Sequence, residues 1–178
     1  IQKKEITEMI KAAFCDDDLS VLNELHVLMD NYRVERNQEI TYTAFHSPLE
    51  LIAQIEKGMR FDILFLDVLM PGVNGIETAQ EIREYDSAMK IIFLTSSAEY
   101  AVESYTVNAY FYQLKPIWPE SFYRLMDSVL KECAQEQRRS LILRCKSGIT
   151  QISLDRLMYC EVQGRTLVFH MQNGEQLE

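Results

Sequence analysis

The segment FDILFLDVLMPGVNG (Phe61–Gly75) carries the pattern from which the architecture of this chain follows. A short apolar run ends at Asp67, the dipeptide Pro71-Gly72 interrupts the chain, and helical spacing begins at Ile76. An apolar run of this length, bounded by turn residues, is typical of a strand that is buried on both faces. Asp67 is therefore predicted to follow the carboxyl end of a buried strand.

The same alternation extends over about the first 115 residues. The predicted strands are Ile10–Cys15, Ile40–Phe45, Phe61–Leu66, Lys90–Leu94 and Ala109–Leu114. The segments with helical spacing are Leu19–Leu28, Leu49–Ile55, Ile76–Ile82, a shorter one at Ala98–Tyr105, and Phe122–Leu130. Strand and helix in regular alternation predict an α/β fold with a doubly wound, five-stranded parallel sheet. Ser20 and Ser47 are the candidate helix caps.

A different pattern begins after Glu136. The polar residues 135–140 indicate a helix end or a linker, and closely spaced apolar runs follow. These runs are Leu141–Cys145, Thr150–Leu154, Met158–Val162 and Thr166–Met171, with a further approach toward Glu178. Glycines at 148, 164 and 174 mark tight turns, so we expect antiparallel strands of a partial all-β domain.

Charge and cysteine content exclude several classes of protein. The 178 residues carry a formal net charge of -9, which argues against a simple nucleic-acid binder. That charge is uneven: residues 1–137 carry 23 acidic and 12 basic side chains, and residues 138–178 carry 4 and 6. The four cysteines fit no zinc pattern, and no signal peptide or membrane span is evident. The expected location is the cytoplasm, without membrane contact.

Polar side chains follow four of the predicted strands. They are Asp16, Asp17 and Asp18 after the first strand, Asp67 after the third, Thr95 after the fourth and Lys115 after the fifth. The carboxyl ends of parallel strands share one edge of the sheet, so these groups are expected to converge. Clustered carboxylates favour a hard divalent cation such as Mg²⁺, and a carboxylate can accept a phosphoryl group. Taken singly, each residue is more often a cap or a solvated side chain.

Residues from about Met9 to Gln137 resemble the receiver domain of two-component response regulators. The resemblance lies in FCDDD (14–18), FDILFLDVLMPGVNG (61–75), LTSS (94–97) and YQLKPI (112–117). It implies a flavodoxin-like sheet with strand order 2-1-3-4-5. It also implies the following roles: Asp67 as phosphoacceptor; Asp17, Asp67 and the Leu69 carbonyl as direct Mg²⁺ ligands, with Asp16 acting through water; Thr95 and Tyr112 as switch residues; Lys115 as phosphate ligand, before a cis Pro116.

The resemblance further implies a sensor histidine kinase as phosphodonor and a homodimer when phosphorylated. The protein would be a signalling phosphoacceptor that catalyses its own phosphorylation and dephosphorylation rather than a metabolic enzyme. Three positions depart from the commonest pattern: Asp18 adds a third acid, Ser96 replaces a smaller residue and Ile117 replaces the usual Phe. These departures would leave the catalytic roles intact and could change the lifetime of the phosphorylated state.

Residues 141–178 resemble the opening strands of a LytTR-type DNA-binding domain, which implies a transcription regulator that binds promoter DNA through its complete output domain. Arg165, beside the Gly164 turn, is the candidate DNA contact, although an ordinary solvated arginine is the simpler interpretation. His170 is interpreted as structural. Since LytTR-type domains normally run to about twice this length or more, this segment is not expected to bind DNA by itself.

These patterns divide the chain into an N-terminal extension (1–8), a receiver domain (9–137), a linker (138–140) and a truncated output domain (141–178). Two alternatives remain open. One is a receiver that acts through protein contacts, with an output other than DNA binding. The other is a haloacid-dehalogenase-like phosphatase, which needs a second aspartate at the position that Leu69 occupies here.

Overall fold

A computed structural model describes residues 9–138, 140–145 and 148–177. The predicted extension 1–8, residue 139 of the predicted linker and residues 146–147, before the predicted turn at Gly148, lie outside the described residues. The chain divides into two compact units, the first ending at Val129 and the second beginning at Leu130. This division falls inside a helix that ends at Arg138. The division therefore lies before the predicted linker 138–140.

The first unit alternates strands and helices around one parallel sheet. Its elements are β1 Ile10–Cys15, α1 Leu19–Arg36, β2 Ile40–Phe45, α2 Pro48–Glu56, β3 Ile63–Leu66, β4 Leu69–Met70, β5 Val73–Asn74, α3 Gly75–Tyr85, β6 Lys90–Thr95, the 3₁₀ helix Glu103–Val107, β7 Phe111–Leu114 and α4 Pro119–Arg138, whose residues from Leu130 onward belong to the second unit. The sheet order is β2-β1-β3-β6-β7, with all pairs parallel. Counted along the sheet's own strands this is 2-1-3-4-5, so the predicted fold is confirmed.

Both faces of the central strands are buried, as their continuous apolar runs predict. All four residues of β3 are inaccessible, and alternate side chains point to opposite faces. On one face Phe65 meets Phe14 and Phe122, with both ring-centroid distances at 5.6 Å. On the other face Leu64 and Leu66 join a cluster with apolar residues of α2 and α3. The core therefore fixes the strand ends from two sides.

One of the predicted helices of the first unit does not form an α-helix. The segment predicted as a short helix at Ala98–Tyr105 forms turns and the 3₁₀ helix Glu103–Val107. Hydroxyl groups of Ser104 and Thr106 donate to carbonyls three residues earlier, and Asn108 ends the helix in the left-handed region (φ 49°). Such side-chain bonds compete with the α-helical pattern.

The caps of α1 and α2 were predicted with mixed success. Ser47 caps α2, as predicted, by accepting a hydrogen bond from the Leu49 N–H. The cap of α1 is Asp18, which accepts from the Ser20 N–H, so Ser20 is not the cap. Asp18, interpreted as an extra acid, is thereby a structural residue that satisfies an orphan amide of the first turn.

After the end of α4, the second unit forms antiparallel strands, as predicted. Strands β8 Ser140–Cys145 and β9 Gly148–Ser153 form one hairpin, and a 3₁₀ turn at Leu154–Arg156 follows. Strands β10 Leu157–Gln163, β11 Thr166–Met171 and β12 Gln176–Leu177 form a separate sheet. Gly164 and Gly174 take positive φ (65° and 82°) in the turns between them. Among the described helices, none has the length and apolarity needed to cross a membrane.

Candidate functional site

Asp16 and Asp67 lie side by side because they follow adjacent parallel strands. Cys15 of β1 pairs with Leu66 of β3, and the Asp67 N–H donates to the Cys15 carbonyl at 3.0 Å. Asp16 is 2% exposed and Asp67 6% exposed. Two carboxylates are therefore held in a largely desolvated position at the carboxyl edge of the sheet.

Lys115 joins these two carboxylates from the end of the edge strand β7. Its Nζ donates to Asp16 Oδ2 at 2.6 Å and to Asp67 Oδ2 at 2.8 Å. Its backbone N–H donates to the Thr95 carbonyl at 2.9 Å, which fixes the strand end beside β6. The Lys115–Pro116 peptide bond is cis, as the family resemblance implied.

Burial and charge act in opposite directions on these groups. Burial raises the pKa of Asp16, and the hydrogen bond from Lys115 only partly opposes that rise. Burial alone would lower the pKa of Lys115, but its hydrogen bonds to Asp16 and Asp67 outweigh this, so the pKa is raised. The ammonium is accordingly charged at neutral pH, and it offsets only part of the negative charge around it.

Asp17 completes a set of three carboxylates. One oxygen from each of Asp16, Asp17 and Asp67 lies within 4.8 Å of the others, and Asp17 is exposed. Oxygen donors at this spacing, with Asp17 open to solvent, fit a hard divalent cation that retains several waters. In the part of the chain that the structure describes, this is the cluster with metal-ligand character. Leu69, whose carbonyl is the other expected ligand, donates its N–H to Asp67 Oδ1 at 3.1 Å.

Thr95 and Tyr112 lie on the side of the site toward β6 and β7. Thr95 is fully buried at the end of β6, and its Oγ1 is 3.5 Å from the Ser97 N–H. Tyr112 of β7 donates its hydroxyl hydrogen to the Ser97 carbonyl at 2.6 Å. The segment after β6 is thus held by a side chain from the neighbouring strand.

Gly75 is a site residue that the sequence reasoning missed. A Cβ at this position would lie 2.1 Å from the Asp67 carbonyl oxygen and 2.7 Å from the Val68 Cα. Its N–H donates to the Val68 carbonyl at 2.9 Å, so the start of α3 is pressed against the backbone of Asp67. The signal was a glycine at the first helical position, directly after Asn74, which caps α3.

The candidate residues of the second unit have different surroundings. Arg165 is exposed in the turn between β10 and β11. His170 stacks on Tyr159, with ring centroids 4.3 Å apart, and its Nε2 lies 3.0 Å from Glu161 Oε1. These contacts agree with a structural role for His170.

The site thus consists of a buried aspartate at the centre of a doubly wound sheet, with a lysine and further carboxylates at neighbouring strand ends. Residues 13–127 match the family model described as the response regulator receiver domain. Because this match covers well over half of the chain, the protein belongs to the response regulator receiver family. Response regulators partner with histidine kinases and are generally non-enzymatic signalling proteins. This family match argues against the alternative of a haloacid-dehalogenase-like phosphatase.

Similar curated proteins are named as sensory and transcriptional regulators. The chain is 31% identical over 124 residues to the sensory transduction protein LytT of Oceanobacillus iheyensis, covering 66% of this chain and 50% of LytT. It is 25% identical to the transcriptional regulatory protein NatR of Bacillus subtilis, over 89% of this chain and 66% of NatR. The chain thus spans about half to two thirds of the length of these relatives.

The fold has a solved counterpart. A CheY-like response regulator receiver domain from Methanospirillum hungatei matches with a TM-score of 0.64 and 22% identity. The match covers 72% of this chain and 98% of that structure. At this identity the likeness concerns the fold alone.

Proposed function

We propose that Asp67 accepts a phosphoryl group from a sensor histidine kinase in a reaction that requires Mg²⁺. The observation that carries this proposal is the Asp67 carboxylate, buried at a strand end, with the Lys115 Nζ at 2.8 Å and two further carboxylates beside it. A nucleophilic carboxylate needs neighbouring positive charge to approach an anionic phosphoryl group. Lys115 supplies one such charge.

The proposed metal ligands are the carboxylates of Asp17 and Asp67 and the carbonyl of Leu69, with Asp16 acting through water. Bound Mg²⁺ would offset negative charge on the transferring phosphoryl oxygens. An oxygen of Asp67 attacks phosphorus while the P–N bond of the donor phosphohistidine breaks and its electron pair remains on the imidazole. Lys115 then donates hydrogen bonds to the new phosphoryl oxygens.

The proposed switch involves Thr95 and Tyr112. The Thr95 hydroxyl would hydrogen-bond the phosphoryl group, and Tyr112 would release the Ser97 carbonyl and reorient. The two arrangements would exist before phosphorylation, and the phosphoryl group would bind more favourably to one of them. The reshaped surface around the 3₁₀ helix Glu103–Val107, β7 and α4 would promote homodimerisation.

For the whole protein we propose transcription regulation in the cytoplasm. The receiver would span residues 9–137, and residues 141–178 would begin a LytTR-type output domain that binds promoter DNA. The net positive charge of residues 138–178 and the similarity to NatR, named as a transcriptional regulatory protein, support this proposal. Arg165 is the proposed DNA contact in this part of the chain.

The test of the phosphoacceptor is Asp67→Asn. Acetyl phosphate with Mg²⁺ should add one phosphoryl group to the wild-type protein, and no group to this variant, as read by intact-protein mass. The matched control is Asp62→Asn at the opposite end of β3, where the side chain accepts a hydrogen bond from the Lys11 N–H. An amide oxygen can keep that bond, so labelling should be unchanged.

Undiminished labelling of Asp67→Asn would overturn the assignment. Chelation of Mg²⁺ with EDTA should abolish labelling of the wild-type protein, and labelling that persists would refute the metal requirement. Asp17→Asn should raise the Mg²⁺ concentration needed for half-maximal labelling.

DNA binding is tested on the full-length gene product with fluorescent promoter fragments, with and without acetyl phosphate, over a range of salt concentrations. Phosphorylation should strengthen binding, and added salt should weaken it as counterions compete for phosphate contacts. Absence of specific DNA binding in both states would favour an output through protein contacts.

A further inference from the structure

The Arg83 side chain, on the last turn of α3, joins two separate stretches of backbone in the first unit. Its Nε and Nη2 donate to the carbonyls of Val107 and Asn108, at the end of the 3₁₀ helix, at 2.8 and 3.2 Å. Its Nη1 donates to the carbonyls of Asp86 and Met89, between α3 and β6, at 3.1 and 2.8 Å. All of these acceptors are backbone groups, and the planar guanidinium carries enough N–H donors to hold them at once. The bonds therefore fix the path of the chain.

These bonds lie at the edge of the sheet opposite the proposed phosphorylation site. Met89 directly precedes β6, and the Tyr110 N–H, just before β7, donates to the Ile91 carbonyl of β6 at 2.7 Å. Both parallel strands therefore begin near the Arg83 bonds, whereas the site lies where the strands end. Residues 97–108, here called the crossing segment, consequently run from the site to the edge held by Arg83 before the chain enters β7.

Among the described hydrogen bonds, side chains hold the crossing segment more firmly at one end than at the other. At the site, the Ser97 carbonyl accepts the Tyr112 hydroxyl hydrogen at 2.6 Å, and the Ser97 N–H lies 3.5 Å from Thr95 Oγ1. At the opposite edge, Arg83 donates to both residues of the pair 107–108 and to the loop before β6. Loss of the Tyr112 bond would therefore loosen the Ser97 end first.

The 3₁₀ helix belongs to the firmly held end. Its Ser104 and Val107 side chains are 4% and 3% exposed, and Val107 lies in the core cluster on the α2 and α3 face of the sheet. The Asn108 N–H donates to the Tyr105 carbonyl at 3.2 Å, which ties the residues bound by Arg83 back to the helix. Residues 97–102 are exposed or half-buried instead. Core packing and the Arg83 bonds thus hold the same short helix.

We propose that Arg83 is a positioning residue that anchors the 3₁₀ helix in both states of the switch. Release of Ser97 by Tyr112 then displaces residues 97–102 and leaves the helix in place. This inference rests on the proposed phosphorylation of Asp67 and on the proposed movement of Tyr112. Without the anchor, the displacement spreads through the helix to the start of β7, so that the phosphoryl group no longer selects a single arrangement of the crossing segment.

The first test uses Tyr112→Phe, which removes the hydrogen bond to Ser97 without any phosphorylation. Hydrogen–deuterium exchange, resolved to single amides by NMR, should become about fivefold faster in residues 97–102, as expected for the loss of one hydrogen bond. The amides of residues 108–110 are hydrogen-bonded at the end held by Arg83 and should keep their wild-type rates. An equal acceleration in both groups of amides would overturn the inference.

The second test adds Arg83→Met, which keeps the alkyl stem and removes the guanidinium bonds. Arg83→Met should by itself speed the exchange of residues 108–110, and adding Tyr112→Phe should speed it about threefold further. If Arg83 merely stabilised the fold, Tyr112→Phe would have no effect on residues 108–110 in either background. Independence of the two substitutions at these amides would therefore refute the anchor.

Two further variants separate geometry from charge and from a general loss of stability. Arg83→Lys keeps the positive charge but lacks the planar fork, so it should behave like Arg83→Met and can replace it if that variant fails to fold. Arg60→Met is the matched control, because Arg60 donates to two backbone carbonyls near the end of α2, both at 3.0 Å. Combined with Tyr112→Phe, it should leave residues 108–110 at their wild-type rates. A spread of the effect in this control would also count against the anchor.

The last test repeats the exchange measurement in acetyl phosphate and Mg²⁺. In the labelled wild-type protein, exchange should change in residues 97–102 and stay constant in residues 108–110, whereas both groups should change in Arg83→Met. A change at residues 108–110 in the wild-type protein would contradict the inference. Failure of the wild-type protein to become labelled would instead refute the phosphorylation of Asp67, and the Tyr112→Phe measurements would still decide whether Arg83 is the anchor.

Discussion

The central strand β3 and the second-unit strand β10 differ in how their side chains are covered. All four residues of β3 are buried, with helices on both faces of the sheet. In β10, every residue after Leu157 is exposed, including Met158 at 63% and Val162 at 71%. Within the described residues, the first unit closes its own core, whereas the second buries only a few side chains, such as Ile152, Val168 and Met171.

This difference separates strand formation from core formation. Turn chemistry favours the β10–β11 hairpin, because Gly164 accepts a positive φ that suits a tight turn. Burial of apolar area supplies most of the folding free energy, and the described strands of the second unit provide little of it. We therefore expect substitutions in the two units to differ sharply in cost.

The largest expected difference is between Phe65→Ala and Val162→Ala. Phe65 is 1% exposed and contacts two other rings, so its truncation should cost about 3–5 kcal/mol. Val162 is 71% exposed, and its truncation should change stability by less than about 0.5 kcal/mol. Urea unfolding followed by circular dichroism measures both. An equally large cost at Val162 would show that β10 is covered in solution.

The next largest difference in stability is expected between Gly75→Ala in the first unit and Gly164→Ala in the second. Gly75→Ala places a Cβ against the backbone of Asp67 and Val68, which cannot move as a side chain would, and should cost about 1–3 kcal/mol. It should also slow labelling of Asp67 by acetyl phosphate. Gly164→Ala meets no atom within 4 Å, but its φ of +65° should cost about 1 kcal/mol. Unchanged labelling in Gly75→Ala would contradict the tight contact at Asp67.

The smallest expected effects come from two arginines. Arg83 of α3 is half-buried, and its guanidinium donates to four backbone carbonyls, those of Val107, Asn108, Asp86 and Met89, at 2.8–3.2 Å. Arg83→Met should cost about 1–2 kcal/mol, because these bonds are lost while the alkyl packing is largely kept. The exposed Arg165→Met should cost less than about 0.5 kcal/mol.

Hydrogen–deuterium exchange locates the effect of Arg83. Amides of residues 103–110 should exchange faster in Arg83→Met, because the guanidinium bonds hold the end of the 3₁₀ helix. Unchanged exchange in residues 103–110 would show that the Arg83 hydrogen bonds do not order this segment. Arg165→Met provides the background exchange rate.

The sheet and the strand-end cluster could be predicted because both depend on patterns that are short in sequence. Each of Asp16, Asp67, Thr95 and Lys115 follows its own apolar run, and parallel strands bring such ends to one edge. The segment from Ala98 to Val107 could not be predicted in the same way. Its apolar spacing suits an α-helix. Hydrogen bonds from side-chain hydroxyls and from the Arg83 guanidinium to backbone carbonyls favour turns and a 3₁₀ helix instead.

The cap of α1 and the close backbone contact at Gly75 could also not be predicted from the sequence pattern. Asp18 and Ser20 are both good caps by composition, and only the start of α1 at Leu19 distinguishes them. Gly75 matters through a neighbour that lies far from its own local pattern, namely the Asp67 carbonyl. Contacts of this kind depend on how helices pack against a sheet, which residue spacing does not encode.

The sequence by itself determined the alternation of strands and helices, the parallel sheet, the change to antiparallel strands and the identities of the groups at the strand ends, because hydrophobic periodicity and turn residues are local properties. The tertiary structure decided that the Lys115 ammonium reaches Asp16 and Asp67, and that the Tyr112 hydroxyl donates to the Ser97 carbonyl. Those contacts join residues from separate elements, and only packing of the shared core brings them within hydrogen-bonding or van der Waals distance.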